Sequence, residues 1–182
     1  QTLVVVGIGF LGALLVQLCT NAGASVVALS RRKYSREIAE RYGATVGLPL
    51  SAEGVASAMQ SSSGSHGFDC VIEATGKASA LEHATALTKV RGRLVIAGYH
   101  QDGPRTIDMQ QWNWKGLDVI NAHERAPEAY LDGIAEAVRM TVAGELEVQS
   151  LLTHVVPLEA LSVALDLLSE RPDGFLKAVV CP

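Results

Sequence analysis

The chain has 182 residues, of which 48% are hydrophobic, 19% charged and 5% aromatic; this suits one packed domain with an appendage and excludes a disordered segment. Lys and Arg number 15 against 19 Asp and Glu, for a net charge of -4, so no basic surplus points to nucleic acid as a partner. Cys19, Cys70 and Cys181 lie far apart, with no CxxC pair and no metal-ligand spacing, which excludes a disulfide framework and leads us to expect a reducing, cytoplasmic compartment.

The first apolar stretch, residues 3–19, carries no charge and approaches the length of a membrane span. It lacks the basic flank of a signal peptide, and Gly7, Gly9 and Gly12 interrupt it, so a strand, a tight turn and a helix are expected, and no membrane. Residues 3–6 are β-branched and read as a strand buried on both faces. Residues 10–22 read as a helix closed by Gly23. A second strand is expected over 25–29, a polar helix over 34–42 closed by Gly43, and a weak third strand over 45–48. Residues 51–60 read as a helix with Ser51 as N-cap and Gly54 as a weak point, and 61–67, rich in Ser and Gly, as a flexible surface loop. A fourth strand is expected over 70–73, a helix over 78–87, a fifth strand over 93–97, a helical turn over 110–114 and a sixth strand over 117–121. Residues 127–142 read as a long amphipathic helix with Pro127 in its first turn.

This alternation implies parallel strands joined by right-handed crossovers. The expected fold is α/β, a doubly wound six-stranded parallel sheet of order 3-2-1-4-5-6. The rhythm breaks in the last forty or so residues. There, 148–156 read as extended, 157–169 as a helix with Leu158, Leu161, Leu165 and Leu168 on one face, and 175–181 as a final strand. A division into residues 1–145 and a strand-helix-strand extension over 146–182 is expected, the second needing a surface to pack on.

Gly7, Ile8, Gly9, Phe10, Leu11 and Gly12 spell G-x-G-x-x-G. The motif alone is weak, but here it follows a predicted strand and opens a predicted helix, which is the Rossmann context. Gly7 permits the sharp turn, Gly9 lets the backbone approach a pyrophosphate, and Gly12 lets helix and strand lie close. The helix N-terminus offers free N–H groups to the phosphates. Dinucleotide folds that prefer NAD place an acidic residue at the end of the second strand, on the ribose 2′-hydroxyl. This chain has Ser30, Arg31, Arg32 and Lys33 there. Arginine binds a 2′-phosphate through charge-assisted hydrogen bonds, each worth about 1.5–3 kcal/mol, so NADP is expected over NAD. Ala74, Thr75 and Gly76 after the fourth strand, Ala97, Gly98 and Tyr99 after the fifth, and Asn121 at the end of the sixth all fall on the carboxyl edge, where open α/β sheets bind ligands.

Residues 4–12, Gln17-Leu18, Gly23-Ala24, residues 42–45, 69–76 and 92–98, Pro157-Leu158-Glu159 and residues 174–180 together resemble the medium-chain dehydrogenase/reductase family, the zinc-type alcohol dehydrogenases. The resemblance covers the whole chain. It implies an oxidoreductase that moves hydride between a nicotinamide cofactor and a small alcohol or carbonyl substrate, with 146–182 returning to a catalytic domain. It also implies that Lys177 reaches the pyrophosphate, and that the sixth strand, a sheet edge, pairs across a homodimer axis. In family members a GroES-like domain holds the catalytic zinc. No such set of ligands occurs in these residues, so no metal ligand and no catalytic residue is assigned to them. The abrupt start at Gln1 reads as a cut before the first strand, and such a chain alone is expected to bind cofactor weakly and to turn over no alcohol. The alternative is a non-catalytic dinucleotide-sensing module, which would use the same glycine turn. A short-chain dehydrogenase is excluded, since none of Tyr34, Tyr42, Tyr99 and Tyr130 has Lys four places on.

Overall fold

A computed structural model describes residues 1–62 and 66–182. Six strands form one parallel sheet: β1 (Thr2–Val6), β2 (Ser25–Ser30), β3 (Val46–Pro49), β4 (Phe68–Glu73), β5 (Thr88–Ile96) and β6 (Asp118–Asn121). Their spatial order is β3-β2-β1-β4-β5-β6, as the sequence predicts. The order reverses between β1 and β4, which run in register from Leu3 opposite Cys70 to Val6 opposite Glu73. In an open α/β sheet this reversal opens a crevice outside the carboxyl ends of the strands.

The connecting helices are α1 (Phe10–Asn21), α2 (Lys33–Arg41), α3 (Ala52–Ser61), α4 (Ala78–Leu87) and α5 (Met109–Lys115). Each strand sends alternate side chains to opposite faces, and two apolar cores result. Leu3, Val5, Ala28 and Ile72 pack with Val16 of α1 and Ile38 of α2. Val4, Val6, Val27 and Leu29 pack with Ala58 of α3 and Leu81 and Leu87 of α4. Burial on both faces explains why residues 3–6 of β1 and 26–29 of β2 are unbroken apolar runs.

Several local features follow from single residues. Ser51 caps α3, its side chain accepting from the Gly54 N–H at 3.3 Å. Gly54 is a requirement of the fold more than a weak point: a Cβ there would lie 1.8 Å from the Pro49 carbonyl oxygen. Asp69 holds the start of β1, accepting from the Thr2 N–H at 2.7 Å, and pairs with Lys89. The Lys89 ammonium, with the Thr2 N–H, lowers the Asp69 carboxyl to about 2.

The predicted fifth strand begins too late. β5 starts at Thr88, directly after α4, because the Lys115 ammonium takes the carbonyls of Thr85, Ala86 and Thr88 (2.9, 2.9 and 2.7 Å) and closes the helix without a loop. Arg91 stands at φ 58° within this polar stretch, whose lack of apolar alternation hides it from the sequence. Of the loop expected over 61–67, Ser61 ends α3, and residues 63–65 lie outside those described.

Past the sheet, α6 (Pro127–Val142) runs with no buried residue. The chain then ties itself to α1: Gln17, itself buried, donates to the Glu147 carbonyl and accepts from the Glu147 N–H, both at 2.8 Å. Residues 148–156 are not extended throughout; a 3-10 turn at Gln149–Leu151 precedes β7 (His154–Pro157). The following helix likewise starts later than predicted, with a 3-10 turn at Leu158–Ala160 leading into α7 (Leu161–Glu170). β8 (Ala178–Cys181) is shorter than the predicted final strand and pairs in parallel with β7. Leu151 and Leu176 join the core on the α1 face, whereas Leu158, Leu161, Leu165 and Leu168 are all exposed. Among the described residues, no helix is long and apolar enough to cross a membrane.

Candidate functional site

A cleft of about 710 Å³ opens at the carboxyl edge, where the strand order reverses. Gly7, Ile8 and Gly9 line it from the β1–α1 turn, Ser30, Arg31 and Arg32 from the end of β2, Ala74, Thr75 and Gly76 from the end of β4, and Tyr99 from beyond β5. Four of the loops named by the sequence therefore meet at one place. A second cavity, about 360 Å³, lies between α4 and α5 around Leu81, Thr85 and Trp112. It shares no lining residue with the cleft, and Trp112 there donates to Thr85 at 3.1 Å.

The glycine turn has the geometry its spacing demands. Gly7 sits at φ +98°, and a Cβ there would meet the Thr75 methyl at 2.2 Å. Gly12 lies beneath it, where a Cβ would stand 2.0 Å from the Gly7 carbonyl oxygen. The space beside Gly9 is open, with nothing within 4 Å of an added Cβ. No side chain caps α1, and its first turn has no acidic residue, so its N–H groups and positive dipole end face the cleft unopposed. This cradle suits a phosphate.

Glu73, fully buried at the end of β4, organises the β4 and β5 loops, and the sequence reading passed over it. Its Oε1 accepts from the Thr75 N–H (2.6 Å), the Thr75 hydroxyl and the Gly76 N–H (3.0 Å). Its Oε2 faces His100 Nε2 at 3.1 Å. Arg105 Nε donates to His100 Nδ1 at 2.9 Å, so Nδ1 is an acceptor and Nε2 carries the proton that binds Glu73. Arg105 also donates to the Gly76 carbonyl at 3.2 Å and pairs with Asp102. The Glu73 carbonyl accepts from the N–H groups of Ala97 and Gly98 (2.8 and 2.7 Å). A Cβ on Gly98 would meet the Gly76 nitrogen at 2.2 Å and Glu73 Oε2 at 2.5 Å, so the two loops interlock. An acidic residue closing the apolar run of residues 70–72 was the available signal.

At the β2 end, Arg31 is exposed while Arg32 turns inward and donates to the Phe175 carbonyl. Burial, then the neighbouring Arg171 guanidinium, hold Arg32 below its ordinary range, opposed by Asp173. The remaining sequence candidates do not line the cleft. Gly12 is packed under the turn, and Ala97 and Gly98 brace it from behind. Leu11 is exposed on α1, and Asn121, exposed at the end of β6, pairs with Ile96. Lys177 Nζ lies 5.5 Å from the centroid of the Phe10 ring at the start of α1, which keeps its charge beside the glycine turn. Lys77, Asp102, Glu170 and Arg171 also line the cleft; they come from the N-cap of α4, the loop after β5, the last residue of α7 and its C-cap, and no motif marks the first three. Among the described residues no group of three or more His, Cys, Asp or Glu side chains is placed to hold a metal ion, so these residues do not fit a zinc site.

Comparison with known proteins agrees with this geometry. Residues 11–139 match a family described as zinc-binding dehydrogenase. The chain is 27% identical over 178 residues to the 2-dehydro-3-deoxy-L-galactonate 5-dehydrogenase of Pseudoalteromonas atlantica, covering 98% of this chain and 50% of that protein. It is 28% identical to the erythritol/L-threitol dehydrogenase of Mycolicibacterium smegmatis, covering 96% and 47%. Among solved structures, a zinc-binding dehydrogenase from Sinorhizobium meliloti 1021 bound to NADP superimposes with a TM-score of 0.81 at 28% identity, over 100% of this chain and 52% of that one. The chain spans about half the length of the curated relatives it matches.

Proposed function

The chain belongs to the zinc-binding dehydrogenase family, and from that premise we propose that it is the cofactor-binding part of an NADP(H)-dependent oxidoreductase acting on a small alcohol or carbonyl substrate. Residues 1–145 form the dinucleotide-binding domain, and 146–182 run back toward a catalytic domain. The observation that carries this reading is the bare glycine cradle at the head of α1, opening into a cleft that ends on arginines. The similar Sinorhizobium structure bound to NADP supports the same cofactor.

The nicotinamide ring, when bound, supplies or accepts the hydride. The residues of this chain bind and orient it. The free N–H groups of α1 meet the pyrophosphate, with the Lys177 ammonium adding charge beside them. Arg31 takes the 2′-phosphate as a bidentate fork; its neighbour Arg32 is already committed to the Phe175 carbonyl. The turn Ala74–Gly76, fixed by Glu73, forms the floor under the second ribose. Among the described residues no set of side chains fits a zinc site.

The discriminating variant is Arg31→Ala. Calorimetric titration should show its affinity for NADP+ reduced by about tenfold to a hundredfold, the value of one or two charge-assisted hydrogen bonds, with affinity for NAD+ unchanged. An equal loss for both cofactors would remove the assignment of Arg31 to the 2′-phosphate.

A further inference from the structure

Three arginines from two distant parts of the sequence meet at the far end of the cleft. Arg31 and Arg32 follow β2, and Arg171 caps α7 in the returning segment. None of the three takes part in a salt bridge among the described residues. Their mutual repulsion is part of what lowers Arg32, against which Asp173 acts in the opposite sense. Glu170 lines the same cleft and offsets only part of the charge.

Arg171 is also placed at a conformational cost. It sits at φ 47°, ψ 62°, the left-handed position after a helix where glycine is the usual occupant. A side chain other than Gly, Asn or Asp there costs about 1 kcal/mol or more, and such outliers gather at ligand sites. Its Nε donates to the Leu168 carbonyl at 3.2 Å, which steadies the guanidinium at the cleft wall while its two terminal nitrogens remain available as donors. Arg32 supplies the link between the two segments: its bond to the Phe175 carbonyl pins the returning segment against the end of β2.

From this arrangement we infer that Arg171 is a specificity-determining residue of the cofactor site, taking the ribose 2′-phosphate together with Arg31. The inference rests on the cofactor reading above. A phosphate monoester is the ligand that suits this place: compact, close to doubly charged and able to accept from two guanidinium forks at once. NAD, which carries only a hydroxyl there, would leave the arginines uncompensated. Selection for NADP would then depend on the returning segment as well as on β2.

The test compares the chain with its Arg171→Gly, Arg171→Lys and Arg31→Ala variants by calorimetric titration with NADP+, NAD+ and adenosine 2′,5′-bisphosphate, with inorganic phosphate as a competitor. Glycine suits the left-handed backbone, so thermal melting of Arg171→Gly should be no lower than that of the parent chain. The expected result is a loss of at least about tenfold in affinity for NADP+ and for the bisphosphate in Arg171→Gly. NAD+ should bind it unchanged, and Arg171→Lys should recover only part of the loss. Competition only by the bisphosphate places the site on the ribose phosphate; equal competition by inorganic phosphate would mean a general anion site and would overturn the inference. If Arg171→Gly keeps the NADP+ preference while Arg31→Ala loses it, the inference fails and the cofactor reading stands. If the parent chain binds NADP+ and NAD+ equally, both fall together.

Discussion

Replacing Glu73 with Leu is expected to lower stability by about 3 kcal/mol, the summed cost of leaving several buried donors without their acceptor. Leu matches the volume but leaves the Thr75 and Gly76 N–H groups and His100 Nε2 without an acceptor in a buried place, and each orphaned group adds its own desolvation cost. For a chain of this length, 3 kcal/mol corresponds to a fall of about 6–12 °C in melting temperature. Urea denaturation should report the loss as a lower midpoint. Glu73→Gln separates charge from shape. The amide keeps one acceptor for the β4 turn, but it must either turn its NH2 toward the N–H of His100 or give up the Thr75 contacts. It should fall between the parent and Leu, and it should weaken cofactor binding more than its melting temperature suggests, because Glu73 sets the Ala74–Gly76 floor. A Glu73→Leu protein as stable as the parent would mean that the network with His100 and Arg105 does not hold the two loops together.

Gly12→Ala should be nearly as damaging, for a different reason. The added methyl would sit 2.0 Å from the Gly7 carbonyl oxygen, a backbone atom that cannot rotate away. Either α1 lifts from β1 or the turn opens, and overpacking of this kind costs about 1–3 kcal/mol. Both outcomes displace the N–H groups that face the cleft, so dinucleotide affinity should fall by about a hundredfold or more. Gly9→Ala is the matching control. Nothing lies within 4 Å of its new methyl and its φ of -102° is open to alanine, so stability should change by less than about 1 kcal/mol. Affinity should still fall, since the methyl would occupy the space left for the pyrophosphate. Similar stability losses in both variants, read by thermal melting, would contradict the assigned roles.

The sheet was legible because its signals are local and repeated. Residues 3–6 and 26–29 are apolar without a break, as buried parallel strands must be, and the glycines at 7, 23 and 43 each mark a change of direction with positive φ. Parallel pairing and right-handed crossovers then leave few strand orders. What stayed hidden depends on partners far along the chain. The first half of β5 is polar, and its helix–strand junction is closed by Lys115, which lies 27 or more residues away from the carbonyls it binds. The leucine stripe of α7 suggests a core-facing helix, yet only Ala164 of that helix is buried.

The site divides in the same way. Gly7, Gly9 and Gly12 carry their chemistry in their spacing, and Arg31 in its place after a strand. Arg32 looked equivalent to Arg31, but a carbonyl 143 residues away takes it. Glu73 and Arg171 gave weaker signs: a charge ending an apolar strand, and a residue where a glycine would suit a helix end. Both gain meaning only when the β4, β5 and α7 ends are brought to one edge.

If this edge binds a phosphorylated nicotinamide dinucleotide, as proposed, titration of the chain with NADPH, followed by the fluorescence of the reduced nicotinamide, shows it most directly. The expected result is saturable binding of one NADPH per chain, displaced by adenosine 2′,5′-bisphosphate and tighter than the binding of NADH measured in the same way. An absence of saturable binding by either reduced cofactor, or binding that Gly9→Ala and Gly12→Ala leave untouched, would contradict it.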